Sequence, residues 1–122
     1  MSKILVVDDN ALNLQLTCIT LELAGNETLS AANGRIAVEI AESEPLDLIL
    51  MDLRMPVMDG KHAMKHIKAN AQTKHIPIVA LTASAMKGER EQLLACGFDG
   101  YIDKPIDVNT FASTVAELLL RE

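Results

Sequence analysis

The residues of this chain best suited to chemistry are polar side chains that end apolar runs. Leu48-Ile49-Leu50-Met51 ends at Asp52, and Ile4-Leu5-Val6-Val7 ends at the pair Asp8-Asp9. Ile78-Val79-Ala80-Leu81 reaches Thr82, and Tyr101-Ile102 reaches Asp103-Lys104-Pro105. Short unbroken apolar runs read as strands buried on both faces of a parallel sheet. In an open α/β sheet the carboxyl ends of the strands converge around the crevice where ligands bind. Three carboxylates gathered there, Asp8, Asp9 and Asp52, need counter-charge. Lys104 supplies part of it, and a hard divalent cation with oxygen ligands, best Mg2+, supplies the rest. An aspartate so placed can act as a nucleophile toward phosphorus and form an acyl phosphate. Asp52 is the expected acceptor, with Lys104 pairing to one phosphoryl oxygen and Thr82 donating to another. The plainer reading is capping: Asp52 caps the next turn, and Asp8, Asp9 or Asn10 caps the first helix. Capping explains one acidic side chain but not the adjacent pair.

Intervening elements must bring these ends together. Leu12, Leu16, Ile19 and Leu23 predict an amphipathic helix from about Ala11 to Ala24, ended by Gly25-Asn26. The more polar Glu27–Ala31 predicts an edge strand. Asn33-Gly34 turns, with Asn33 as cap of a helix buried through Ile36, Ala37, Ile40 and Ala41. After Asp52, a loop through Arg54, Pro56 and Asp59-Gly60 leads to a helix buried through Ala63, Met64, Ile67 and the stem of Lys68. Lys61, His62, Lys65, His66, Lys68, Lys74 and His75 make this neighbourhood basic, the pattern of a solvated face. His62 and His66 stand at i and i+4, a spacing that also permits a metal pair. Ala83-Ser84-Ala85-Met86 opens a fourth helix with Leu93, Leu94 and Cys96 on its inner side. Phe98–Ile102 predicts a short fifth strand. A last helix from about Asp107 carries Val108, Phe111, Val115, Leu118 and Leu119. Alternating strands and helices with short connections predict a parallel sheet with helices on both faces.

Composition narrows the classes. At 122 residues the chain is expected to form one domain, 1–122, with a sizeable core. Hydrophobic content of 49% and charged content of 23% exclude a disordered chain. Aromatics are 2% with no Trp, so the core must be aliphatic with Met. A net charge of −6 argues against a direct nucleic-acid footprint. Cys18 and Cys96 lack metal-ligand spacing and read as buried thiols of a reducing compartment. No run suits a signal peptide or membrane span, so no membrane insertion and a cytoplasmic location are expected.

The chain closely resembles the response-regulator receiver domain of two-component signalling. The resemblance is carried by Val6-Val7-Asp8-Asp9-Asn10, Leu50-Met51-Asp52-Leu53-Arg54-Met55-Pro56, Asp59-Gly60, Leu81-Thr82-Ala83 and Tyr101-Ile102-Asp103-Lys104-Pro105. It implies a flavodoxin-like (βα)5 fold, a doubly wound parallel five-stranded sheet of order 2-1-3-4-5. It implies that Asp52 accepts phosphate from a histidine on a sensor kinase or phosphotransfer protein. It further implies Mg2+ held by Asp8, Asp9, Asp52 and the backbone carbonyl of Arg54, and a switching pair of Thr82 and Tyr101. The output face would be the fourth helix, fifth strand and fifth helix, read by a downstream effector protein. Such a protein promotes its own phosphorylation without being classed as an enzyme, and a monomer or weak dimer is expected.

The chain ends at Glu122, just past the last helix, and Met1 with its start-proximal strand favours a stand-alone single-domain regulator as the expectation. A receiver cut from a longer regulator or a hybrid histidine kinase is the alternative. Two other classes compete: a constitutive interaction module without phosphotransfer, and a flavin-binding domain of the same strand order. The acidic pair after Val7 opposes the flavin reading, because it repels a phosphate unless a metal intervenes.

Overall fold

A computed structural model describes residues 2–53, 58–82, 87–103 and 110–120. In chain order the elements are β1 (Lys3–Val7), α1 (Ala11–Leu23), β2 (Glu27–Ala31), α2 (Gly34–Ser43), β3 (Leu48–Asp52), α3 (Gly60–Ala69), β4 (Ile78–Thr82), α4 (Lys87–Cys96), β5 (Gly100–Asp103) and α5 (Phe111–Leu120). The strands form one parallel sheet in the order β2-β1-β3-β4-β5, as the resemblance implied. Every residue of β3 and β4 is buried, which is why both read as unbroken apolar runs. The polar β2 sits at the edge, where burial is incomplete.

Alternation along the strands builds two cores. Leu5, Val7, Ile49, Met51, Ile78 and Ala80 pack with α2 and α3 through Ala37, Ala41, Ala63, Met64 and Ile67, and with Leu93 of α4. Ile4, Val6, Leu48, Leu50, Val79 and Leu81 pack with Leu21 of α1 and with Phe111 and Val115 of α5. Helices therefore cover both faces, α1 and α5 on one and α2 to α4 on the other.

Several sequence expectations are corrected. The stripe Leu12, Leu16, Ile19 and Leu23 faces outward, with Leu12 77% and Leu23 84% exposed. α1 is buried through Thr17 and Leu21, supported by Leu14 and Cys18. The helix carries two overlapping apolar stripes, so spacing alone does not choose between them. Thr17 tolerates burial because its hydroxyl donates to the Asn13 carbonyl at 2.8 Å. Ile36 of α2 is also exposed. On α4 only Leu93 of the expected trio is buried, while Leu94 and Cys96 are exposed. Neighbouring helical positions lie about 100° apart, so Leu93 and Leu94 do not share a narrow contact line. Cys18 is half-buried, so neither cysteine is the fully buried thiol expected. Burial does raise the Cys18 thiol above its ordinary pKa.

The boundaries also shift. β5 begins at Gly100, because the Phe98 N–H closes α4 on the Leu93 carbonyl at 3.2 Å. Gly97 precedes it with φ 126°, a left-handed stop. Gly25, at φ 94°, ends α1 in the same way. Thr110 forms a turn and α5 follows from Phe111, later than the expected start. Asp107 and Val108 lie outside the described residues, as does the Ala83–Met86 segment.

Candidate metal and acceptor site

The three aspartates reach one place through the sheet. β1 and β3 are neighbours, with Val7 opposite Met51. Asp8 extends the β1 ladder by one bond, its N–H donating to the Ala31 carbonyl at 3.1 Å. Its carboxylate then accepts from the Asn10 N–H at 2.9 Å, turning the chain toward α1. Asp52 is the last residue of β3 and keeps the parity of Leu48 and Leu50. One carboxylate oxygen from each of Asp8, Asp9 and Asp52 lies within 4.8 Å of the others. Asp8 and Asp52 are 2% and 7% exposed, and Asp9 is open to solvent.

The N-caps of α1 and α3 are other residues. Asn10 caps α1, its side chain accepting from the Asn13 N–H at 3.0 Å. Asp59 caps α3, accepting from the His62 N–H at 2.9 Å. The helices on either side of the cluster are thus capped by other residues.

Thr82 ends β4 and is 7% exposed. It stands one residue beyond Leu81, the register partner of Asp52. Tyr101 is half-buried on β5, opposite Ala80, and packs against the α2–α4 core. Arg54 and Lys104 lie outside the described residues, as do the Ala83 to Met86 positions of the expected output face.

The basic stretch around α3 is built differently from the acidic crevice. Lys68 ion-pairs with Asp99 at 2.9 Å and donates to the Ile76 carbonyl at 2.9 Å, tying the end of α3 to the approaches of β4 and β5. His62 Nδ1 lies 3.0 Å from Asp59, in contact with the cap. Among the described residues, the group of three or more potential ligands is Asp8, Asp9 and Asp52.

Two residues at the site escaped the sequence reading. Gly34 and Gly60 open α2 and α3, and both are buried against the chain that follows Asp52. Asn33-Gly34 reads as turn chemistry and Asp59-Gly60 as part of the family resemblance, so neither gives a signal of a close approach.

The donor set tests the implied metal directly. It consists of three carboxylates, two of them shielded from water, at the carboxyl ends of the adjacent strands β1 and β3. Like charges this close repel one another, and a hard cation relieves that repulsion. Oxygen donors of this kind fit Mg2+.

Five parallel strands in this order, with an acidic crevice beyond β1 and β3, define a flavodoxin-like domain with its site at the topological switch point. The chain belongs to the response regulator receiver domain family, whose family model matches residues 4–116. Phosphorylation on an aspartate is typical of that family. The polar-differentiation response regulator DivK of Brucella anthropi is 39% identical over 117 residues, covering 96% of this chain and 95% of DivK. The chemotaxis response regulator CheY4 of Vibrio cholerae superposes with a TM-score of 0.90 at 34% identity, covering 97% of this chain and 98% of that one. The receiver domain of the sensor histidine kinase PA1611 from Pseudomonas aeruginosa superposes with a TM-score of 0.85 at 37% identity, covering 98% and 95%. That structure has a magnesium ion coordinated in its active site cleft.

Proposed function

We propose that Asp52 is the phosphoryl acceptor of a response regulator whose donor is a phosphohistidine on a sensor histidine kinase or phosphotransfer protein. The observation that carries this reading is the convergence of Asp8, Asp9 and Asp52 within 4.8 Å at the carboxyl edge of the sheet. An Asp52 carboxylate oxygen attacks phosphorus. The phosphorus–nitrogen bond breaks, and its electron pair returns to the imidazole, which takes up a proton. Asp8, Asp9, Asp52 and the Arg54 carbonyl would hold Mg2+, whose charge offsets that of the phosphoryl oxygens. Lys104 pairs with one phosphoryl oxygen and Thr82 donates to a second. Asp8 and Asp52, anchored to rigid strand ends, keep the acceptor oriented, so most of the catalysis is positioning.

The rest of the reading follows from placement. The outward stripe Leu12, Leu16, Ile19 and Leu23 begins two residues after Asn10, on the helix that leaves the acidic cluster. An apolar face so close to the acceptor suits the docking of the protein donor. Thr82 and Tyr101 form the switch, and α4, β5 and α5 present its state to an effector protein. Residues 1–122 act as one receiver domain, as a monomer or weak dimer in the cytoplasm. Among the described residues, no helix is long and apolar enough to cross a membrane. The domain carries a mark rather than turning over a substrate, as in a family not generally classed among enzymes.

The test is intact mass after incubation with Mg2+ and acetyl phosphate. A single phosphoryl adduct is expected in the wild type and none in Asp52→Asn. An adduct level unchanged by that substitution, or no adduct in the wild type, overturns the reading.

A further inference from the structure

Two buried glycines near the acceptor are there for space rather than for torsion. The left-handed glycines among the described residues are Gly25 and Gly97. Gly60 instead opens α3 with no room for a side chain. A Cβ there would overlap the Asp52 carbonyl oxygen and stand 3.0 Å from the Leu53 Cα. Gly34 opens α2 under the same constraint. A Cβ there would overlap the Met58 carbonyl oxygen and stand 3.0 Å from the Ala63 Cβ. Each glycine also donates its N–H to the segment it touches. Gly60 donates to the Leu53 carbonyl at 3.1 Å, and Gly34 to the Met58 carbonyl at 3.1 Å.

The chain leaving Asp52 is therefore held at Leu53 and again at Met58, each time by the first residue of a helix. The closest approach in both cases is to backbone, which cannot rotate aside as a side chain can. Gly60 acts within the same connection as Asp52. Gly34 belongs to a different one, between β2 and α2, and is not a member of the acidic cluster.

We infer that Gly34 is a positioning residue for the acceptor site. By receiving the Met58 carbonyl without a Cβ, it seats Met58 and, through Asp59, the Gly60 turn that packs on the Asp52 carbonyl, so that the Asp52 carboxylate stays aligned with Asp8 and Asp9. It thereby sets the affinity of the cluster for a divalent cation and, through it, the phosphorylation rate. Gly60 performs the matching task directly against Asp52 and Leu53. This inference rests on the reading of Asp52 as a metal-assisted acceptor. Residues that orient ligands from behind typically alter metal affinity by about 10–100-fold when replaced. The coupling is reciprocal, so cation binding at the aspartates must also reach the Gly34 amide.

The experiment is a calorimetric Mg2+ titration of the wild type, Gly34→Ala and Gly100→Ala, with urea unfolding of each. Gly100 is the control, because a Cβ there meets nothing nearer than 3.6 Å. Gly34→Ala is expected to bind Mg2+ about tenfold more weakly, with Gly100→Ala unchanged. A Gly34→Ala protein that loses stability but binds Mg2+ like the wild type overturns the inference while leaving the acceptor reading intact. A wild type that binds no Mg2+ removes both. Should Gly34→Ala fail to fold, the wild type decides alone through its glycine amide resonances. With added Mg2+, the Gly34 and Gly60 signals should move with one common midpoint while Gly25 and Gly97 stay in place. A stationary Gly34 signal overturns the inference.

Discussion

Tyr101 sits beside Ala80 in the register between β4 and β5, one pleat repeat behind Thr82 on the same face of the sheet. Ala80 and Tyr101 share the core with α2, α3 and α4. A displacement of the Thr82 end of β4 therefore changes the surface against which Tyr101 packs. Tyr101 is the sole tyrosine and the chain has no tryptophan, so the intrinsic fluorescence of the protein reports this ring. We expect acetyl phosphate with Mg2+ to change that fluorescence in the wild type. Thr82→Ala should still form the adduct, at a rate lower by about tenfold or more from the lost donor, with the fluorescence change abolished. An identical change in Thr82→Ala separates Tyr101 from Thr82 and removes the switch.

Crowding of the carboxylates gives a second expectation. Asp9 is the exposed member of the three, and its charge lies close to two buried ones. Asp9→Asn should stabilise the metal-free fold by about 1 kcal/mol, a value kept low by solvent screening at an exposed site. The same change should weaken Mg2+ binding, so added metal should stabilise the variant less than the wild type. Urea midpoints with chelator and with Mg2+ measure both effects. A lower midpoint in chelator contradicts the repulsion account.

The sheet was legible because parallel strands buried on both faces leave unbroken apolar runs, as in Leu48–Met51 and Ile78–Leu81. The edge position of β2 was legible from its polarity. The acidic site was legible because each aspartate ends such a run, and strand ends converge wherever the sheet is parallel. Helix faces were harder to read. α1 carries apolar residues on both sides, and the side turned to the sheet includes Thr17, whose burial depends on a backbone bond that spacing does not reveal. The two site glycines were illegible for another reason. A glycine needed for a left-handed turn and one needed for a close approach look alike in sequence, and only packing separates Gly25 from Gly34.

The outward stripe on α1 yields a test of donor docking. Leu12 is 77% and Leu16 44% exposed, so polar replacements there should change stability by about 0.5 kcal/mol each. Leu12→Ser with Leu16→Ser should slow phosphotransfer from a histidine kinase or phosphotransfer protein by about tenfold or more, in line with the loss of two apolar anchors. The rate with acetyl phosphate should stay unchanged, because a small donor needs no docking face. Equal rates from the protein donor assign the stripe to some other contact.

The cap of α3 links stability to pH. The Asp59 carboxyl lies below its ordinary range, chiefly because the His62 backbone N–H donates to it, with the His62 ring adding a smaller effect. A carboxyl whose folded pKa is depressed contributes stability above its unfolded value and loses it as pH falls through the folded one. Here the unfolded value is about 3.8, so the contribution is complete at neutral pH and fades below that point. Asp59→Ala should lose about 1 kcal/mol at pH 7, the usual cost of removing an acidic cap. The gap between the two proteins should narrow steadily as the pH falls below 4. Gly60 follows the cap directly and seats against the Asp52 carbonyl, so fraying of this first turn should loosen Asp52 as well. Asp59→Ala should therefore also form the acetyl phosphate adduct more slowly at pH 7, by a few-fold. Urea unfolding across the acid range and adduct formation at neutral pH check the two parts separately. A stability gap that stays constant to pH 2 would show that the Asp59 charge contributes nothing to the cap.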